Sequence, residues 1–160
     1  MDELDEEILN LLALNSRMPY REIAKKLKVS EGTVYNRIHR LEGEGLIERY
    51  TIKPNHERLG FELTALFGIR ISGGKLEELE ERISKLPNIL AVYDITGDYD
   101  AMVIAKFRNR QELNKFVKYL LSMREVERTY TFFVLNTVKE DFTLTQLEQP
   151  DFLKPSKTQR

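Results

Sequence analysis

The period of the hydrophobic pattern changes once along the chain, and that change constrains the fold more than any other feature. Up to about residue 50 the apolar side chains recur every three or four positions, whereas from Phe61 they recur at every second one. The first spacing is that of amphipathic helices and the second that of half-buried strands. A helical domain followed by a sheet-bearing one is expected, and 160 residues suffice for two small domains.

Three helices are expected in the first part. Leu4, Ile8, Leu11 and Leu12 share one face of the first, whose opening turn is rich in carboxylates that suit the positive end of a helix dipole. The second should open with Pro19 as a first helical residue and bury Ile23, Ala24 and Leu27. Lys28-Val29-Ser30 then forms a tight break, with Ser30 as N-cap of a third helix from Glu31 to Glu42. Val34, Ile38 and Leu41 make its inner face, and Gly43-Glu44-Gly45 ends it. Leu46 to Ile52 reads as a short strand, which gives a winged-type helix-turn-helix domain over 1–52 and a hinge over 53–60.

The second domain, 61–142, starts with a strand in which Phe61, Leu63, Ala65, Phe67, Ile69 and Ile71 alternate with other residues. Leu76, Leu79, Ile83 and Leu86 return to helical spacing. Ile89–Thr96 and Tyr99–Phe107 read as strands joined at Gly97-Asp98 by a two-residue turn. Asn109 and Glu112 form a capping box for a helix carrying Leu113, Phe116, Val117 and Leu120, and Val126–Val138 makes the last strand. The fold class is therefore α+β, with a ferredoxin-like β-α-β-β-α-β domain at its C-terminal side. Two helices cover one sheet face, so the other is expected to pack on a further copy. The polar segment 143–160 reads as a weakly ordered tail or an arm.

Composition narrows the function. There is no cysteine and only two histidines, His39 and His56, so thiolate metal sites and cysteine nucleophiles are excluded and no cofactor or metal is expected. No apolar run is long enough to cross a bilayer and the first residues are acidic, which points to a cytoplasmic protein without a membrane partner. Net charge is only −1, yet between residues 17 and 41 seven basic side chains stand against two acidic ones. A local patch of this kind is an electrostatic footprint for phosphate.

That patch lies on the two helices of the helix-turn-helix, whose second member enters the major groove in such domains. Gly32, Asn36, His39 and Arg40 project away from the buried stripe of the third helix, with Thr33 and Arg37 on its flank. Thr33, Asn36 and Arg37 are the expected base readers, since Arg grips guanine and Asn pairs with adenine. Gly32 would allow close approach of the helix start. Tyr20, Arg21, Lys25 and Ser30 are expected on phosphates. A solvated basic face is the plain alternative for all of these.

The motifs Leu4-Asp5-Glu6-Glu7-Ile8-Leu9, Arg21-Glu22-Ile23-Ala24, Val29-Ser30-Glu31-Gly32-Thr33-Val34, Arg37-Ile38-His39-Arg40-Leu41-Glu42, Gly45-Leu46-Ile47 and Gly97-Asp98-Tyr99-Asp100 follow one another in order. Over residues 2–142 the chain resembles the Lrp/AsnC (feast/famine) transcriptional regulators, of archaeal type. The resemblance implies a sequence-specific DNA-binding regulator whose second (RAM/AsnC) domain senses an amino acid between dimers. It further implies a homodimer assembling to an octamer or higher, bound to double-stranded promoter DNA. The implied effector residues are Gly97, Asp98, Tyr99 and Asp100, with Thr129 and Thr131. Ordinary turn and strand roles are the alternative for each of them.

No catalytic constellation emerges, so no enzyme is expected. Two other readings stand beside the regulator: an architectural DNA-wrapping protein of weak specificity, and an enzyme like the siroheme decarboxylases of the same build. The latter rely on histidines, and none occurs from Phe61 onward.

Overall fold

The computed structural model describes residues 1–72, 74 and 76–143. It forms two compact units: Met1–Lys53, joined by the described residues from Lys139 on, and Pro54–Val138. Lys53 lies 3.8 Å from Asp141 within the first unit. Of the expected tail, 144–160 lies outside the described residues, as do Gly73 and Lys75.

In the first unit α1 (Glu3–Leu14), α2 (Tyr20–Leu27) and α3 (Glu31–Gly43) close around Ile8, Leu12, Ile23, Ala24, Val34, Ile38 and Leu41. These are the apolar stripes brought face to face, and helix propensity alone would not hold segments this short. Pro19 is the N-cap of α2, in extended conformation, and Tyr20 is the first helical residue. The helix thus begins one residue later than the sequence suggests.

The expected strand at Leu46–Ile52 is not formed. Instead the chain turns back onto α3: Gly45 adopts φ +73°, and the Leu46 and Ile47 N–H groups donate to the Leu41 carbonyl. This is a glycine-dependent helix stop. It buries part of Ile47 against the core and leaves Leu46, Tyr50 and Ile52 exposed. Ladder hydrogen bonds need a second strand, and the described residues of this unit contain none.

The second unit is an antiparallel sheet in the order β2-β3-β1-β4, built from β1 (Leu63–Ile71), β2 (Ile89–Asp94), β3 (Ala101–Phe107) and β4 (Val126–Phe133). Helices α4 (Leu76–Ser84) and α5 (Arg110–Leu121) complete the β-α-β-β-α-β order. Both pack on one face: Leu79 and Ile83 of α4, with Leu113, Phe116 and Leu120 of α5, meet Ala65, Phe67, Ile69, Val103 and Phe107. Half of the expected capping box of α5 is present: Asn109 accepts from the Glu112 N–H, while the Glu112 side chain accepts from the N–H of Arg108, one residue before the cap.

Pairing assigns the opposite face to Leu66, Gly68 and Arg70, whose partners are Phe132, Tyr130 and Arg128 on β4. The strands are shorter than the alternation suggests, and the connection between β2 and β3 is wider than a two-residue turn. Its last hydrogen bond runs from Ile95 N–H to the Asp100 carbonyl, leaving Thr96–Tyr99 as a four-residue loop with Gly97 at φ +123°. Asp100 belongs to the sheet, because its N–H donates to the Ile69 carbonyl and its carboxylate accepts from the Ile71 N–H at 2.7 Å.

The loop folds Tyr99 over the sheet face away from the helices. Its ring lies 5.2 Å from that of Tyr130 and 6.2 Å from that of Phe132, directly on Gly68. A Cβ at Gly68 would stand 2.8 Å from the ring. Gly68→Ala should therefore destabilise the second unit by about 1–3 kcal/mol in chemical denaturation. The same substitution in a Tyr99→Ala background should add far less; equal losses in both backgrounds would refute the contact.

Candidate functional site

The outward face of α3 is defined by what the inward face buries. Ser30 caps the helix, accepting from the Thr33 N–H at 3.0 Å, and its hydroxyl lies 2.8 Å from that of Thr33. With Val34, Ile38 and Leu41 buried, Gly32, Tyr35, Asn36, His39 and Arg40 are exposed. The Asn36 side chain makes no hydrogen bond among the described residues. His39 stacks on Tyr35 at 5.9 Å, and the Tyr35 ring meets Tyr20 of α2 edge-on at 6.2 Å. Arg21 and Lys25 are exposed on α2. A Cβ at Gly32 would meet only Ser30 Oγ, at 3.8 Å, so packing within the chain does not demand glycine there.

The guanidinium groups of Arg37 and Arg40 are engaged within the chain. The Arg37 guanidinium donates to Asp2 and, at 3.0 Å, to Asp5 Oδ1, while Arg40 donates to Asp5 Oδ2. Asp5 is fully buried. Asp2 and Asp5 also cap each other at the start of α1, each side chain accepting from the other's N–H. Four side chains from α1 and α3 thus share one network.

Its electrostatics follow from these contacts. Hydrogen bonding to Arg37, then to the Asp5 N–H, holds the Asp2 carboxyl down at about 2. Burial alone would push Asp5 up, but the Asp2 N–H, Arg37 and Arg40 together hold it below its ordinary value. Arg37 is raised, chiefly by its hydrogen bonds to Asp2 and Asp5. Beyond α3, Tyr50 donates to Glu42 of that helix at 2.9 Å and is pushed up by burial and by that carboxylate.

In the second unit the expected effector residues separate. Asp98 is exposed at the loop tip and Gly97 supplies the positive φ. Tyr99 lies on the face away from the helices. Thr129 and Thr131 pair with Ile69 and Phe67, whose side chains are in the core, so they sit on the helix-covered face. Tyr99 and the two threonines therefore lie on opposite faces of the sheet. Among the described residues there is no cluster of side chains suited to a metal ion and no helix long and apolar enough to cross a membrane.

Residues 1–42 match the AsnC-type helix-turn-helix domain, and 64–144 match the Lrp/AsnC ligand binding domain. An uncharacterized HTH-type transcriptional regulator of Pyrococcus furiosus is 53% identical over 144 residues, covering 90% of this chain and 97% of its own. The chain belongs to the Lrp/AsnC family. It is also 37% identical over 140 residues to the HTH-type transcriptional regulator FL11 of the same organism, across 88% of this chain and 93% of that one. A Neisseria meningitidis transcriptional regulator solved with L-Met superimposes with a TM-score of 0.85 at 26% identity, covering 90% and 96% of the two chains. Escherichia coli AsnC shares the fold, with a TM-score of 0.83 at 24% identity over 91% and 98%.

As an Lrp/AsnC protein the chain is a DNA-binding transcriptional regulator. Sequence reasoning missed Asp2, Asp5, Gly68 and the Tyr20–Tyr35–His39 stack. Asp5 had a signal: it shares the Ile8 and Leu12 face, where a carboxylate must find partners.

The network makes the Lrp/AsnC helix-turn-helix sensitive to acid, with a definite sign. Both aspartates are held below the ordinary 3.8, so each contributes above that value, and the contribution of Asp2 is lost as pH falls towards 2. Melting temperature between pH 5 and 2 should fall more steeply for the natural protein than for Asp2→Asn. Superimposable profiles would show that Asp2 contributes nothing.

Proposed function

We propose that this regulator binds a specific operator as a homo-oligomer and that an amino acid bound between dimers sets its occupancy in the cytoplasm. The observation that carries the reading is the outward face of α3, where uncommitted hydrogen-bonding groups are flanked by exposed cations of α2. Asn36 suits a base edge. Thr33, engaged with Ser30, lies at the helix start, where base contacts concentrate. Tyr20, Arg21, Lys25 and Ser30 fit phosphate contacts that fix register. Gly32 leaves the helix start open to a close neighbour. A dimer would present two such helices to half-sites about one helical turn apart, or a multiple of that.

The effector reading is supported by the ligand-binding domain match and by the L-Met bound to the Neisseria relative. Asp98 offers a carboxylate to an ammonium group, and loop N–H groups with the threonine hydroxyls offer donors to a carboxylate. Tyr99 lies on the sheet face away from the helices and Thr129 and Thr131 on the covered face, so in this reading a second copy brings the two sets to one site. Asp100 anchors the loop through Ile71, so its part is to shape that site. Dimers assembling to an octamer or larger ring would supply the shared edges.

The test is a gel-shift titration on DNA upstream of the protein's own coding sequence, across salt, with competitor DNA and single amino acids. Discrete shifts that survive competitor and respond to one amino acid are expected. That amino acid at about a hundred times its dissociation constant should stabilise the protein by about 2.7 kcal/mol. Asp98→Ala and Thr131→Ala should each abolish the response while sparing operator binding. Uniform, competitor-sensitive binding would favour a DNA-wrapping role, and a monomer in sizing experiments at micromolar concentration would end the oligomer proposal.

A further inference from the structure

Both arginines of α3 are held by carboxylates of α1, and this divides the recognition helix into two working parts. Arg37 sits on the flank nearest the core stripe, three residues after Val34 and one before Ile38. Its guanidinium is engaged by Asp2 and by Asp5, a fully buried side chain that Arg40 also contacts. Arg40 has Glu44 3.8 Å from its Nε as well. A guanidinium turned toward a base would leave the Asp5 carboxylate buried with fewer partners, which burial penalises heavily.

Opposite this flank the helix presents Asn36 and His39, three residues apart and therefore neighbours on one face. Asn36 is exposed, and its side chain makes no hydrogen bond among the described residues. His39 is exposed, is backed by the Tyr35 ring, and has only its Nδ1 near a carboxylate, 3.6 Å from Glu42. Tyr35 is in turn braced by Tyr20 of α2, so the imidazole plane is supported from the neighbouring helix. Side chains held in place before binding lose less freedom on binding.

We propose that Arg37 is a positioning residue that fixes the seating of α3 on α1 through Asp5, and that base identity is read by Asn36 and His39. This assigns to Arg37 a different role from the one its residue type suggests. It rests on α3 being the recognition helix of a sequence-specific regulator.

The experiment selects preferred sequences from a random double-stranded DNA pool, using the full-length protein and five variants. Arg37→Lys keeps a charge for Asp5 but cannot grip a guanine bidentately. The pair Asp5→Leu with Arg37→Met replaces the buried ion pair by apolar groups, a change that such sites often tolerate. Arg37→Ala, Asn36→Ala and His39→Ala complete the set. If Arg37 positions α3, Arg37→Lys and the double variant retain the natural preference at every base pair. Arg37→Ala then weakens all sequences by one common factor. Asn36→Ala and His39→Ala each erase preference at a different base pair, about tenfold to a hundredfold. Loss of preference at one base pair in both Arg37→Lys and the double variant would overturn the proposal. So would unchanged preference in Asn36→Ala and His39→Ala. A natural protein that selects no sequence would overturn the underlying reading of sequence specificity, a result distinguishable from either of these.

Discussion

One buried carboxylate fixes the DNA-binding unit. Asp5 lies on the apolar face of α1 with Ile8 and Leu12, where an ionised group is tolerated only if it is fully partnered. Its two oxygens receive the Asp2 N–H, Arg37 and Arg40. The hydrophobic stripes alone would let α3 roll against α1, because apolar contact is non-directional. The ion network is directional. It sets the azimuth of α3, and with it the residues that face outward.

Geometry supports this division of labour. The Arg37 guanidinium is already engaged by two carboxylates, one of them fully buried, and turning toward a base would take a partner from that buried group. At Asn36 no internal partner competes, and the side chain is available to whatever enters the groove.

The sequence made the element types legible because each buried stripe repeats at a period that belongs to one kind of backbone. Ile23-Ala24-Leu27 and the alternation from Leu63 to Ile71 could hardly be exchanged. The capping residues Ser30 and Asn109 were legible for the same local reason. What depended on distant partners was not. The Leu46–Ile52 segment has strand-like composition but no neighbouring strand among the described residues of its unit. Asp5 looked like one more acidic residue for the helix dipole until α3 placed two arginines over it. Thr129 and Thr131 could be set on β4, but only the register with Phe67 and Ile69 shows that they share the helix-covered face.

The loop between β2 and β3 is fastened to a strand that belongs to neither. Asp100 holds β1 twice, through the Ile69 carbonyl and the Ile71 N–H, and Tyr99 rests on Gly68 of the same strand. At that end β1 also slips register against β4, between Arg70 and Ile71, where the ladder is locally interrupted. The loop is therefore tied to an inner strand of the sheet and not only to the two strands it joins. Mechanically it is a handle on β1.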